Sequence, residues 1–317
     1  MSCLSCFGLK HVDGIGDTML MNELENNFKA YLDWSFLELG GFTNIEIGST
    51  GLYNNDQSVL RLANDKSFAD GRVWETARKD WIYETGISYG NNEPIDITGV
   101  MVNGVMHGTG DGAYAHYYNY PLGRVIFNSP ISKTAVVKLG YSYRHIQVYK
   151  ADSAEWLDFV QSDSIHSELP HFEQQKTGEW SIGGQARVQL PCIVIESVPR
   201  RASKPYELGN FSLDITQDIL CHVFAESKSE RNNILDFLMN QQGSTICLFK
   251  TDSILESGAY SLDYRGMVVN DNCYPDFITD YGWKKCFISR TQPSTMTTFH
   301  PKFYGGVVRV SCNLILD

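Results

Sequence analysis

The stretch LDITQDILCHVFAESKSERNNILDFLMNQQGSTICLFK, residues Leu213 to Lys250, decides the fold. In its first third Leu213, Ile215, Ile219, Cys221 and Val223 share one parity, while Asp214, Thr216, Asp218 and His222 share the other. That period of two belongs to a strand with one buried face. Ser227 to Glu230 then reads S-x-x-E, in which the serine hydroxyl accepts from a free amide of the first helical turn and the glutamate reaches back to the cap amide. A helix is expected to start there. Ile234, Leu235, Leu238 and Met239 make an apolar stripe at helical spacing, Gly243 closes the helix, and Thr245 to Phe249 is β-branched or apolar enough for a second strand. The spacing predicts strand, helix, strand, with the helix across a sheet, and places no catalytic side chain in the unit.

The flanking segments extend that sheet. Arg187 to Glu196 carries Val188, Leu190, Ile193 and Ile195 around Pro191, whose missing amide predicts an edge strand or a bulge. Gly306 to Leu316 puts Val308, Val310, Cys312, Leu314 and Leu316 on one face and is expected to close the sheet as its terminal strand. Near the other end, Asp17 is placed to cap a helix. Its Leu20, Leu24, Phe28, Tyr31, Leu32, Phe36 and Leu39 recur every three or four residues until Gly40 and Gly41 stop it. Thr43 to Ile47 follows as a short strand.

Between these parts lies a β-rich region. Val100 to Val102 and Val105 to Met106 flank Asn103-Gly104, a dipeptide that accepts the positive φ of a two-residue hairpin turn. Tyr120-Pro121-Leu122-Gly123 predicts a second hairpin, leading into Arg124 to Phe127. Thr134 to Tyr149 alternates with apolar side chains on both faces and predicts one central sandwich strand, with Trp74, Trp81 and Tyr83 belonging to the same region. Ala151 to Thr177 is polar and reads as a surface loop. The expected organisation is α+β and β-rich: residues 14–51 with 164–317 form one mixed sheet with packed helices, 52–163 an inserted antiparallel β-sandwich, and 1–13 a flexible N-terminus.

Composition narrows the function classes. The chain has 317 residues, 43% of them hydrophobic and 12% aromatic, which supplies ample core. The 27 glycines, 17 tyrosines and 16 phenylalanines favour short strands and turns over long helices. A formal charge of −11, with no Lys/Arg run beyond pairs such as Arg200-Arg201, argues against a static nucleic-acid clamp, which needs a basic stripe to displace counterions. No segment reaches the roughly 18 consecutive apolar residues of a membrane helix. The N-terminus lacks the basic and apolar regions of a signal peptide, so synthesis in a reducing cytoplasm with free thiols is expected. Cys192, Cys221, Cys247 and Cys312 lie in apolar runs as small hydrophobes.

No residue in the sequence reads as catalytic, cofactor-binding or metal-ligating. Cys3 and Cys6 form a C-x-x-C without a second pair, and His166 and His171 have no partner at ligand spacing. Gly108-Thr109-Gly110-Asp111-Gly112 has no lysine and follows a hairpin strand, so it reads as a turn rather than a phosphate cradle. Glu75 with Asp80, or Asp276 with Asp280, offer the carboxylate pairs of a glycosidase only if geometry brings them together.

The order of elements resembles tail-terminator and neck proteins of tailed bacteriophages: an opening helix ending near Gly40, a strand, a β-rich stretch, Gln189-Leu190-Pro191 with Cys192 to Glu196, the Leu213 to Phe249 unit, and a closing Val-Arg-Val strand. The passage Tyr120 to Phe127, then Tyr141-Ser142-Tyr143-Arg144 and Val148-Tyr149, also resembles phage virion structural proteins. The resemblance implies a homo-oligomeric ring of six or twelve copies at the head-to-tail junction, made in the host cytoplasm and assembled into the virion. Its expected neighbours are connector, tail tube or sheath proteins, with DNA passing through an acidic lumen and no membrane contact. Two other classes stay open. A receptor- or carbohydrate-binding virion module predicts an exposed aromatic cluster with converging polar groups, and a glycoside hydrolase predicts two carboxylates facing each other in a cleft.

Overall fold

The structure is a computed structural model that describes residues 18–50, 55–163, 172–206 and 212–316. Strand makes up 40% and helix 21%, so the chain is α+β and strand-rich as the alternation predicts. Helix α1 (Leu20–Glu38) and strand β1 (Phe42–Ile45) precede a series of short strands: β2 (Arg61–Leu62), β3 (Val73–Glu75), β4 (Val100–Val102), β5 (Val105–His107), β6 (His116–Asn119), β7 (Arg124–Phe127), β8 (Val137–Lys138), β9 (Tyr141–Arg144) and β10 (Gln147–Lys150). Helix α2 (Trp156–Asp163), β11 (Phe172–Gln174), β12 (Trp180–Ile182) and β13 (Gln185–Val188) lead to the long pair β14 (Cys192–Pro205) and β15 (Leu213–Ala225). The remainder is α3 (Lys228–Met239), β16 (Thr245–Phe249), α4 (Thr251–Ser257), α5 (Tyr274–Tyr281), β17 (Gly282–His300) and β18 (Phe303–Leu316).

The main sheet has six strands in the order β10-β14-β15-β18-β17-β16, antiparallel except for the parallel β10–β14 pair. The parity read from residues 213–225 is realised here. Ile215, Ile219, Cys221 and Val223 face the helices together with Ile193, Ile195, Val308, Val310, Cys312 and Leu314. Helix α1 brings Leu24, Phe28 and Leu32 to this core, and α3 brings Ile234, Leu235 and Leu238. Each such side chain removed from water contributes about 1.5–3 kcal/mol. A Cβ at Gly306 would stand 2.9 Å from Leu235 Cδ1, so the bare backbone of β18 lets α3 lie close against the sheet.

The helix ends follow the sequence in one case and depart from it in the other. Ser227 caps α3, its side chain accepting from the Glu230 amide at 3.1 Å, but the Glu230 carboxylate turns toward His145 Nε2, 3.6 Å away. Asp17 lies outside the described residues, and Met19 stands at the N-cap of α1 without a side-chain bond. Thr18 instead donates from its amide and hydroxyl to Asp252 at 2.7 and 2.6 Å, tying the start of α1 to α4.

Several expectations change. The run 134–149 is not one strand. Its apolar residues on opposite parities serve different cores: Val137, Leu139, Tyr141 and Tyr143 pack with the β-rich region, whereas Ile146 and Val148 pack under α1. The run breaks into β8, β9 and β10, which pair with β4, β1 and β14 respectively. β10, within the 52–163 stretch read as an insert, thereby joins the main sheet. β18 is an interior strand between β15 and β17 rather than the closing one. Pro191, in a cis peptide with Leu190, separates β13 from β14 instead of bulging one strand. The polar stretch 151–177 is not all loop: α2 buries Trp156, Leu157 and Val160 against Trp180, Phe224 and Phe303.

In the β-rich region two small antiparallel sheets, β2-β3-β7-β6 and β5-β4-β8, share a core of Trp74, Val102, Val125, Phe127 and Leu139 around a fully buried Trp81. Both expected hairpins form. Asn103 and Gly104 turn with φ of 50° and 86°, and the Gly123 amide donates to Tyr120 O at 3.2 Å.

Candidate interaction surface

Alternation leaves the main sheet a second face. Where β14 and β15 carry Cys192, Val194 and Phe224, that face is covered by α2 and the small β11-β12-β13 sheet. Further along, the same parity places Thr216, Arg309, Ser311 and Asn313 outward and half-buried around a buried Asp218. Asp218 accepts from Ser311 Oγ at 2.7 Å. Arg200 Nε and Arg309 Nη1 each lie 3.7 Å from its other carboxylate oxygen, and Arg290 lines the same cleft of about 230 Å³. The cleft thus gathers three guanidiniums, two of them near its one carboxylate, an excess of positive charge on a chain of net charge −11. Beyond it the face continues past Phe287, Ile315 and Trp283, all exposed, with Lys285 between them.

The two edges of this half differ. β10 pairs only with Cys192 to Ile195, so Ser197 to Pro205 of β14 is an outer strand, and it carries Arg200, Arg201 and Lys204 with no carboxylate. At the opposite edge β16 is closed by side chains. Asn27 bonds both the amide and the carbonyl of Phe249, at 2.8 and 3.0 Å, and the Tyr274 hydroxyl donates to Cys247 O at 3.3 Å. Phe277 packs with Phe249 and Ile254 to fix α5 against that edge. The segment 251–281 carries six carboxylates and one arginine. Asp252 receives Thr18, and Asp276 receives the Cys273 thiol at 3.1 Å and amide at 2.9 Å, which together lower its pKa. Glu256, Asp271 and Asp280 are exposed.

The candidate acid pairs separate. Glu75 belongs to a buried seam: Arg187 Nη1 at 2.7 Å, Arg61 Nε at 3.0 Å and Arg124 Nη2 at 3.2 Å. Burial disfavours its charge, yet Arg187 and Arg61 together hold its carboxyl below the usual carboxylate range. Asp80 instead bonds Arg144 at 3.1 Å, in a second cluster with Glu84 and Asp33. In that cluster burial pushes the Asp33 carboxyl up despite Lys29 and Arg144 beside it. Glu75 and Asp80 are thus held by different guanidiniums in separate clusters, an arrangement for packing rather than proton transfer. Asp276 and Asp280 sit one turn apart on the short α5, both exposed.

Gly108 to Gly112 forms a turn in which the Asp111 carboxylate accepts the Gly108 amide at 2.9 Å. Cys192, Cys221, Cys286 and Cys312 are buried free thiols, and burial pushes Cys221 up to about 12. Cys3, Cys6, His166 and His171 lie outside the described residues, among which no group of three or more His, Cys, Asp or Glu is placed to hold a metal. No helix among them is long and apolar enough to cross a membrane. A cavity of about 400 Å³ between α1, α4 and α5 is lined by Lys29, Asp33, Trp34, Tyr83, Tyr260 and Phe277, among others.

The sequence reading missed the seam, the α4–α5 segment and the first half of β17. For α5 a signal was present: Cys273-Tyr-Pro-Asp276 places proline in the first turn and aspartate at the position that reaches back to the cap amide. No protein-family model matches this chain, and no curated protein matches it.

Proposed function

We propose that this chain is a non-enzymatic structural protein of a tailed-phage virion. In this reading it has a tail-terminator-like domain with an inserted β-sandwich, and forms a homo-oligomeric ring of six or twelve copies at the neck. The ring joins the head connector to the tail tube or sheath and lets DNA pass. The resemblance in element order supports this reading. The observation that carries it is the main sheet's second face, where Arg200, Arg290 and Arg309 outnumber the one carboxylate of their cleft, Asp218, leaving net charge for a neighbouring subunit. The acidic-lumen part of the reading requires the basic sheet face to turn toward a neighbour, with the acidic remainder of the surface facing the DNA.

A receptor- or carbohydrate-binding module is the second reading, favoured by the aromatic lining of the cavity between α1, α4 and α5 and by Tyr264, which is 95% exposed. Imaging of the intact particle decides between them. Density for this chain in a ring between head and tail is expected; density at fibre tips would sink the neck reading.

A further inference from the structure

We infer that the basic outer strand of β14 docks on the acidic outer surface of α4 and α5 of a second copy of this chain. The inference rests on the ring reading and names the surfaces through which neighbouring subunits meet.

Strand order makes the contact geometrically simple. Ala202, Thr216, Asn313, Phe287 and Thr245 form one row across β14, β15, β18, β17 and β16. Two residues beyond that row, toward the α5-covered Cys247 and Phe249, lies Lys204, so the C-terminal end of the basic arm and that edge stand on opposite sides of the sheet, about 19 Å apart at four strand spacings. Unlike patches on opposite flanks make a heterologous contact, which closes into a ring where the rotation between subunits allows it.

Neither edge suits strand addition. Pro199 and Pro205 interrupt the donor row of the β14 arm, and cations on an edge strand block pairing with another backbone. At the other edge Asn27 and Tyr274 already occupy backbone groups of Phe249 and Cys247. What both edges offer is side-chain charge, of opposite sign. The Arg200 and Lys204 side chains are 75% and 76% exposed, and their contacts within the chain are a 3.7 Å approach to Asp218 and a 3.1 Å surface pair with Asp214. Across the sheet, Glu256, Asp271 and Asp280 stand exposed on α4, the following loop and α5. Charge complementarity of this kind sets partner choice and register between subunits.

The test is a charge swap in the full-length chain. One variant reverses the arm (Arg200→Glu, Arg201→Glu, Lys204→Glu), and the other reverses the acidic edge (Glu256→Lys, Asp271→Lys, Asp280→Lys). Asp252 and Asp276 are left intact because Thr18 and the Cys273 amide depend on them. Native mass spectrometry and sedimentation at low salt are expected to show self-association of the wild type, weakened at least about tenfold in each variant alone. An equimolar mixture is expected to recover it, because both contacts in an alternating ring are then complementary, and such a ring closes in any even number. Recovery in the mixture also shows that both variants are folded. Wild-type-like association of either variant alone, a wild type that stays monomeric at low salt, or a mixture that recovers nothing would each overturn the edge pairing. The ring reading itself is judged separately, by the position of the chain in particle images.

Discussion

Three arginines gather around carboxylates at two places in this molecule, and the two gatherings differ in balance. In the seam between the β-rich region and β12–β13, Arg61, Arg124 and Arg187 meet Glu75, Glu179 and Asp65 at 2.7 to 3.2 Å. Glu179 is 1% exposed, and Arg187 also donates to Thr76 O at 2.9 Å. On the outward sheet face, Arg200 and Arg309 approach one carboxylate, Asp218, at 3.7 Å each, and Arg290 lines the same cleft. The seam is neutral and short-range. The sheet face is positive and longer-range. Charges matched within the chain hold a fold together, whereas unmatched charges on a flat surface are free for a partner.

The largest effect is expected at the seam. Arg187→Met leaves Glu75 and Glu179 buried with one cation fewer, and breaking such a cluster is expected to cost about 3–5 kcal/mol, read from the denaturation midpoint. The pH dependence follows from the lowered Glu75 pKa. Below its usual value of 4.5 the unfolded chain takes up a proton that the folded chain refuses. The seam's contribution is therefore present above that pH and lost as pH falls through the lowered value. In Arg187→Met the acid-side loss should shrink. A cost under about 1 kcal/mol would place the seam with ordinary surface pairs.

A smaller effect of opposite sign is expected beside the seam. Burial and the nearby Arg187 lower the pKa of Lys79 to about 8. Between that value and 10.5 the unfolded chain holds a proton the folded chain has released, so wild-type stability should rise with pH across that window. Lys79→Met keeps the apolar stem and removes the charge, and is expected to stabilise the chain by about 1–2 kcal/mol at neutral pH. Thermal melts at pH 7 and pH 10 check both points: the gain should nearly vanish at the higher pH. A Lys79→Met chain less stable than wild type at pH 7 would show that the seam uses this amine as a fourth cation.

What could be read in the sequence was what is local. The alternation in 213–225 and the Ser227 cap of α3 are set by residues within a few positions of one another, and both stand in the structure. The seam has no local signature, because Arg187 and Glu75 are 112 residues apart. Asp80, five positions from Glu75, takes a different guanidinium altogether. The split of 134–149 was hidden for a related reason. Apolar residues on both parities fit a strand buried on both faces, and they equally fit a chain passing from one core to another. Arg200-Arg201 stood out only as a pair of adjacent cations. Strand order is what brings Arg290 and Arg309 to the same cleft, and what sets the acidic α4–α5 segment at the opposite edge.

The smallest effect is expected on the outward sheet face, and it sharpens the contrast most. Asp218 is held by the Ser311 hydroxyl, while a separation of 3.7 Å from Arg200 and Arg309 exceeds hydrogen-bonding range. Removing one of three like charges also relieves repulsion among the remaining two. Arg290→Ala and Arg309→Ala should therefore each change stability by no more than about 0.5 kcal/mol, with any gain fading as salt rises. Melts in low and high salt measure this. A loss above about 1 kcal/mol in either variant would mean that the cleft is a second seam, and its excess charge would then no longer point to a partner.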